Sequence, residues 1–268
     1  MDALSGERIT VKSPDEIVRL RAACRVVAEV LAELRAAVVP GVTTLELDQI
    51  AEAGARRRGA DPAFKGYHGY PASLCASVNE EVVHGIPSSS RVLREGDIIG
   101  LDFGVVLDGF YGDAAITLPV GVVSDEARRL LEVTREALEA AVAEACPDHR
   151  IGDLGAAVQR RVESSGFAVV RDFVGHGIGR RLHEPPQIPN FGTPGTGPRL
   201  RAGMALAIEP MVDVGGCEVD TRDDGWTAFT VDGRLSAHFE HTVLVTEKGP
   251  EILTLPPVAS SGAREHLN

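Results

Sequence analysis

Cysteine is scarce in this chain: Cys24, Cys75, Cys146 and Cys217 are widely separated and include no CxxC pair. That spacing excludes a disulfide framework and a thiolate zinc site. An excess of positive charge is equally missing. With 27 Lys and Arg against 39 Asp and Glu, the formal net charge is -12, which argues against a broad phosphate-binding surface and so against general nucleic-acid binding. No apolar run is long enough to span a bilayer, and the opening MDALSGERITVKSPDE lacks the charged-then-apolar layout of a signal peptide. A cytoplasmic chain without membrane association is expected. The Gly-rich FGTPGTGPR loop is not followed by the lysine and serine of a P-loop, and no helical HExxH occurs. What remains is enough to fold: 44% of the 268 residues are hydrophobic, sufficient for a substantial core.

The anomaly lies in LREGDIIGLDFGVVLDGFYGDAAITLPVG, which reads as a β-hairpin carrying Asp102 and Asp113 where a strand should carry apolar side chains. A two-residue turn at Asp108-Gly109 sets Leu107 opposite Phe110 and Gly104 opposite Asp113, so that Asp102 lies diagonally beside Asp113 on one sheet face. Two carboxylates among apolar neighbours repel and resist ionisation, and a bound cation relieves both problems. The stretch has an echo. Leu93 to Asp102 aligns without a gap on LRAGMALAIE, ending at Glu209, and Gly109 to Gly121 corresponds loosely to Ala237 to Gly249, with Asp113 matched acid to acid with Glu240. This similarity predicts a duplication about a pseudo-twofold axis, with four carboxylates near that axis suited to a pair of divalent ions.

Along the chain, an N-terminal arm of residues 1–12 reads as loose. Ser13-Pro14-Asp15-Glu16 is a capping box with proline at the first helical position, and Ile17, Leu20, Cys24, Val27, Leu31 and Leu34 then recur at helical spacing until Pro40-Gly41. A second capping box, Thr43 to Glu46, opens a helix running through Arg56-Arg57-Arg58 to Gly59. FKGYHGYPASLCASVNEEVVHGIP reads as loop, short strand SLCASV and loop, in which Tyr67, His68, Tyr70 and His84 either line a pocket or pack against the sheet edge. Helices are predicted from Ser124 through roughly Cys146 and from about Gly152 to Ser165, repeating the order of the first half. Phe173 to Asn190 has too much Gly and Pro for a helix, so His176 and His183 come from loop or strand, with His176 available to complete a nitrogen and oxygen metal shell. The repeats span about 13–121 and 124–250 of a single domain over 13–255, and 256–268 is a tail.

Six segments, GYHGYP, NEEVVHGIP, LDFGVVLDGFYGD, GHGIGRRLHEPPQIPNFG, AIEPMV and SAHFEHTVLVTEKGPEIL, closely resemble type I methionine aminopeptidases, in order and across nearly the whole chain. The resemblance implies an α/β pita-bread fold: a pseudo-twofold repeat with a curved antiparallel sheet and outer helices. It also implies a metalloaminopeptidase that removes N-terminal methionine from nascent proteins and peptides when the second residue is small. Asp102, Asp113, His176, Glu209 and Glu240 would hold two divalent ions (cobalt, manganese, iron or zinc), with Asp113 and Glu240 bridging. Glu209 would also shuttle a proton, while His84 and His183 would contact substrate and tetrahedral intermediate. Tyr67, Tyr70, Cys75 and Trp226 fall where the family lines its methionine pocket. Phe64 stands where the family commonly has cysteine, and Leu182 where it commonly has an aromatic. The chain has neither the inserted helical domain of type II enzymes nor an N-terminal zinc-finger or proline-rich extension, which matches the short bacterial form. A monomer that meets nascent chains at the ribosome follows by family analogy. Two rivals are a proline-directed pita-bread peptidase and a catalytically silent binding protein; the first usually carries an additional N-terminal domain, and the second would be expected to lack ligands.

Overall fold

The structure, a computed structural model, describes residues 8–255. The expected tail at 256–268 and residues 1–7 of the expected arm lie outside them. Four α-helices form among the described residues, α1 (Pro14–Ala37), α2 (Thr44–Arg57), α3 (Asp125–Ala143) and α4 (Ile151–Glu163), the first three opening on the side-chain caps Ser13, Thr43 and Ser124. Both capping boxes close, Ser13 with Glu16 and Thr43 with Glu46, so orphan amides at each start are satisfied by side chains. α1 ends at Ala37 and α3 at Ala143, three residues short of Pro40 and of Cys146 respectively.

The hairpin pairs strand Ile98–Leu107 with Phe110–Pro119 in the predicted register, Leu107 opposite Phe110 and Gly104 opposite Asp113. Its turn residues Asp108 and Gly109 both have positive φ, as a tight hairpin turn of this hand requires. Strand period then sorts the side chains. Ile99, Leu101, Phe103 and Val105 face α1 and α2 in one buried cluster, and Asp102 lies on the opposite face. Burial of each such large side chain contributes about 1.5–3 kcal/mol, so the helix-facing side anchors the strand while the other face is left to carry acids.

The second half repeats this plan. Strands Ala205–Ile208 and His241–Thr246 pair antiparallel, and their Leu206, Ile208, Val243 and Val245 share a core with α3 and α4. Strand Gly175–Gly177 adds to the far edge of Ala205–Ile208, followed by Glu184–Ile188. The result is a mixed α/β fold of antiparallel sheets with outer helices and a pseudo-twofold relation between halves.

The halves meet along a seam between Phe110–Pro119 and the stretch 238–242. Glu240 N donates to Ala115 O at 2.9 Å. On one side of that contact, Thr242 Oγ1 donates to Asp113 O and accepts from Asp113 N, at 2.8 and 3.3 Å. On the other, Thr117 Oγ1 donates to His238 O and accepts from His238 N, at 2.7 and 2.9 Å. This reciprocity corrects one detail of the repeat. The correspondence of Asp102 with Glu209 carries Gly104 onto Met211, and Met211 pairs with His238, just as Gly104 pairs with Asp113. The counterpart of Asp113 is therefore His238, and that of Glu240 is Ala115. Matching acid to acid in the sequence missed this because strand pairing, rather than residue likeness, sets the register.

The arm is also less loose than its sequence suggests. Lys12 is buried, and its backbone N donates to Gly203 O at 2.7 Å.

Candidate active site

Asp102 and Asp113 project from the hairpin, Glu209 follows the end of strand Ala205–Ile208, and Glu240 lies on the seam. Gly104 opposite Asp113 is needed for space. A Cβ there would meet Phe64 Cε1 at 2.8 Å and Asp113 Oδ1 at 3.1 Å. Asp113, His176 and Glu240 each offer a donor atom, all within 4.8 Å of one another. Asp102 Oδ1, Asp113 Oδ1 and Glu240 Oε1 are buried without a hydrogen-bond partner, a condition costing about 1–3 kcal/mol per group unless something else satisfies it.

Burial raises all four carboxyls above their ordinary range, and for Asp113, Glu209 and Glu240 the neighbouring acids push further in the same direction. Four anions cannot share this space without a cation. His176 completes the case. Its Nδ1 lies 2.9 Å from Gly177 O, an acceptor only, so Nδ1 carries the proton and Nε2 presents a lone pair. Burial lowers its pKa to about 4, which keeps the ring neutral at physiological pH. That lone pair faces Glu209 Oε1 at 3.5 Å. With Glu209 ionised, an acceptor faces an acceptor across this gap, an arrangement that suits a divalent cation held by mixed nitrogen and oxygen donors.

Above the acids lies a cavity of about 690 Å³. All of the residues singled out from the sequence line it: Tyr67, Tyr70, Cys75, His84, Asp102, Asp113, His176, His183, Glu209, Trp226 and Glu240. His68 borders the same cavity, so Tyr67, His68, Tyr70 and His84 all lie along its wall. His84 has a left-handed backbone, φ 60°, and its ring packs edge-on to Phe173 and Trp226 at 5.5 and 6.2 Å. Tyr70 hydroxyl donates to Leu74 O or Gly85 O, at 3.0 and 2.9 Å, which fixes the loop carrying His84 against the strand Cys75–Val78. Asp224 Oδ1 accepts from the amides of Trp226 and Thr227 at 2.8 Å, and this turn sets Trp226. His183 Nδ1 lies 2.7 Å from the Tyr67 hydroxyl, and its ring meets that of His176 at 4.3 Å between centroids. Burial lowers His84 to about 4 and His183 to about 3, with nearby imidazoles adding to the effect on His183. Burial also raises the Cys75 thiol, with Asp102 adding to it, so Cys75 packs as a neutral group.

Phe64 and Leu182 line the same cavity, as do Phe173 and Met211, which sequence reasoning missed. Phe173 lies in an irregular segment and Met211 opens a three-residue strand, so neither gives a periodic signal. His238 was missed too: buried, its Nε2 is without a hydrogen bond and 3.9 Å from Glu209 Oε2. No local signal marks it, because its place as the counterpart of Asp113 is set by the long-range pairing of Met211 with His238.

The sequence model of metallopeptidase family M24 matches residues 18–247. The chain belongs to metallopeptidase family M24. Within that family it is 53% identical to methionine aminopeptidase of Clostridium perfringens, over 92% of this chain and 99% of that protein. Methionine aminopeptidase 1 of Bacillus subtilis is also 53% identical, over 92% and 99%. The crystal structure of methionine aminopeptidase from Thermotoga maritima superposes with a TM-score of 0.91 at 52% identity, covering 92% of this chain and all of that one. Among more distant M24-like folds, the prolidase of Pyrococcus horikoshii has a TM-score of 0.75 at 22% identity, with 63% of its own length covered, a likeness of fold alone.

Proposed function

We propose that this M24 chain removes the N-terminal methionine from peptides and nascent proteins whose second residue is small, using two divalent ions held by Asp102, Asp113, His176, Glu209 and Glu240. The observation that carries the reading is the acceptor-to-acceptor contact of His176 Nε2 with Glu209 Oε1 beside three unpartnered carboxylate oxygens at the foot of an aromatic cavity. The kinship with methionine aminopeptidases supplies the reaction. Bound there, divalent ions would polarise the scissile carbonyl and bring a water towards ionisation near neutral pH. Carboxylates and one imidazole accept manganese, iron, cobalt or zinc, and cellular supply selects among them.

The chain's own groups do the rest. Asp102, Asp113, His176, Glu209 and Glu240 would hold the ions, a set of oxygen and nitrogen donors suited to divalent cations. Glu209, beside His176, carries a proton from water towards the leaving amine. His84 and His183 are neutral and so act as hydrogen-bond partners rather than as charges. With the Tyr67 hydroxyl donating to Nδ1, His183 presents Nε2–H to the substrate carbonyl oxygen as negative charge develops there. Tyr70, Cys75, Trp226 and Phe64 enclose the unbranched thioether, and the same crowding restricts the second residue. Because donors come from both repeats, the two halves work as one catalytic unit, which we place in the cytoplasm as a monomer acting where nascent chains emerge.

Cleavage of a peptide panel tests this. After anaerobic loading with each metal, kcat/KM is expected to be highest on Met-Ala peptides and at least about 10²-fold lower on Met-Lys, the range a steric pocket can impose. Norleucine-Ala should fall within about tenfold of Met-Ala, since exchanging thioether for methylene is a one-group difference. Equal rates on Met-Lys and Met-Ala would remove the second-residue rule, and Ala-Pro as best substrate would point to a proline-directed peptidase.

A further inference from the structure

We propose that the buried ion pair between Lys12 and Glu184 is a positioning device for His183, which makes the segment before α1 part of the catalytic apparatus. This rests on the role given to His183 above. Lys12 Nζ lies 2.6 Å from Glu184 Oε2, and the two side chains are only 4% and 5% exposed. Thr10 Oγ1 donates to the same oxygen at 2.8 Å. The other oxygen, Oε1, accepts from the amides of Arg180 and Arg181 at 2.7 and 3.1 Å. One carboxylate thus gathers the turn that precedes it in sequence, and His183 is the residue directly before Glu184.

The turn has no slack towards Lys12. A Cβ on Gly179 would meet Lys12 Cε at 2.4 Å and Nζ at 2.6 Å. Gly179 O accepts from Tyr111 N at 2.8 Å, and Arg180 reaches Glu16 at 3.0 Å and stacks over Phe110 at 5.0 Å, so the same turn is braced against the hairpin and α1. Without Lys12, Glu184 would be a buried anion whose largest compensating charge is gone, and the carboxylate would turn towards water and release the two amides. His183 would then lose the orientation that its contact with Tyr67 requires.

The experiment uses the full chain carrying Lys12→Met, with Lys12→Gln as the substitute if circular dichroism shows Lys12→Met unfolded. In the metal-free variant, amide hydrogen exchange at Arg180 and Arg181 should quicken by about tenfold or more, and the His183 ring resonances should shift. In the metal-loaded variant, kcat on Met-Ala should fall by about 10 to 10²-fold, as for groups that orient a functional histidine, with KM and metal content retained. The loss should vanish in a His183→Ala background, because a residue acting through His183 has nothing left to position. Unchanged exchange at Arg180 and Arg181, or the same loss with and without His183, overturns the proposal. If the wild-type chain fails to cleave Met-Ala, or His183→Ala keeps full turnover, the proposed function or the role of His183 fails instead, while exchange and ring resonances still decide whether Lys12 sets the turn.

Discussion

Ala115 of the first repeat and Glu240 of the second occupy equivalent places beside the pseudo-twofold axis, as do Asp113 and His238. The backbones and the hydroxyl contacts around them match, Thr117 holding His238 as Thr242 holds Asp113. The donors do not. The first hairpin provides acids at Asp102 and Asp113, whereas the second provides Glu209 opposite Glu240, with His176 arriving from a neighbouring strand. Symmetry therefore belongs to the frame and asymmetry to the chemistry, and a frame of this kind lets each half contribute different donors without altering how the halves pack.

The sharpest way to break the comparison is to remove acids from one side at a time. Asp113→Ala and Glu240→Ala should each lower turnover by more than the 10- to about 100-fold seen on loss of residues that merely support a ligand, and each should reduce metal stoichiometry measured by elemental analysis. Full metal content with normal turnover in either variant would remove that residue from the ligand set.

Next come the imidazoles. His84→Ala and His183→Ala should keep bound metal yet lose about 10²-fold or more in kcat, as expected for groups that act on the transition state. Metal loss comparable to that of the acid variants would make them ligands or props. The finest test compares the two hydroxyls. Thr117→Val and Thr242→Val each strand a buried amide and carbonyl, so chemical denaturation should show losses of about 1–3 kcal/mol in both. Only Thr242→Val, which frees Asp113, should also weaken metal binding, by about tenfold on the scale of outer-shell partners. Equal weakening in both would mean that the seam acts as a whole.

The hairpin was legible because a local signal, Asp108-Gly109, sets its register, and register dictates which side chains share a face. Helix starts were legible for the same reason: Ser13 with Glu16 and Thr43 with Glu46 are contacts three residues apart. The counterpart of Asp113 was not, since it depends on the pairing of Met211 with His238 across a long excursion between them. Lys12 was illegible on similar grounds: nothing near it in the chain shows that a carboxylate at Glu184 will bury its ammonium. Gathering of the cavity residues was anticipated for the polar and aromatic members of motifs, while Phe173 and Met211 became visible only with the walls they complete.

The contact of Glu240 N with Ala115 O bears on how such a site can arise. If two identical half-length chains had assembled about a twofold axis, the residues flanking that axis would be copies of each other. Two glutamates there would confront one another, and two alanines would offer nothing to bind with. Joining the halves into a single polypeptide removes the requirement of identity, and the residue on each side can then diverge. The alanine facing a glutamate at this contact is a pairing that two identical half-length chains cannot encode and a fused chain can.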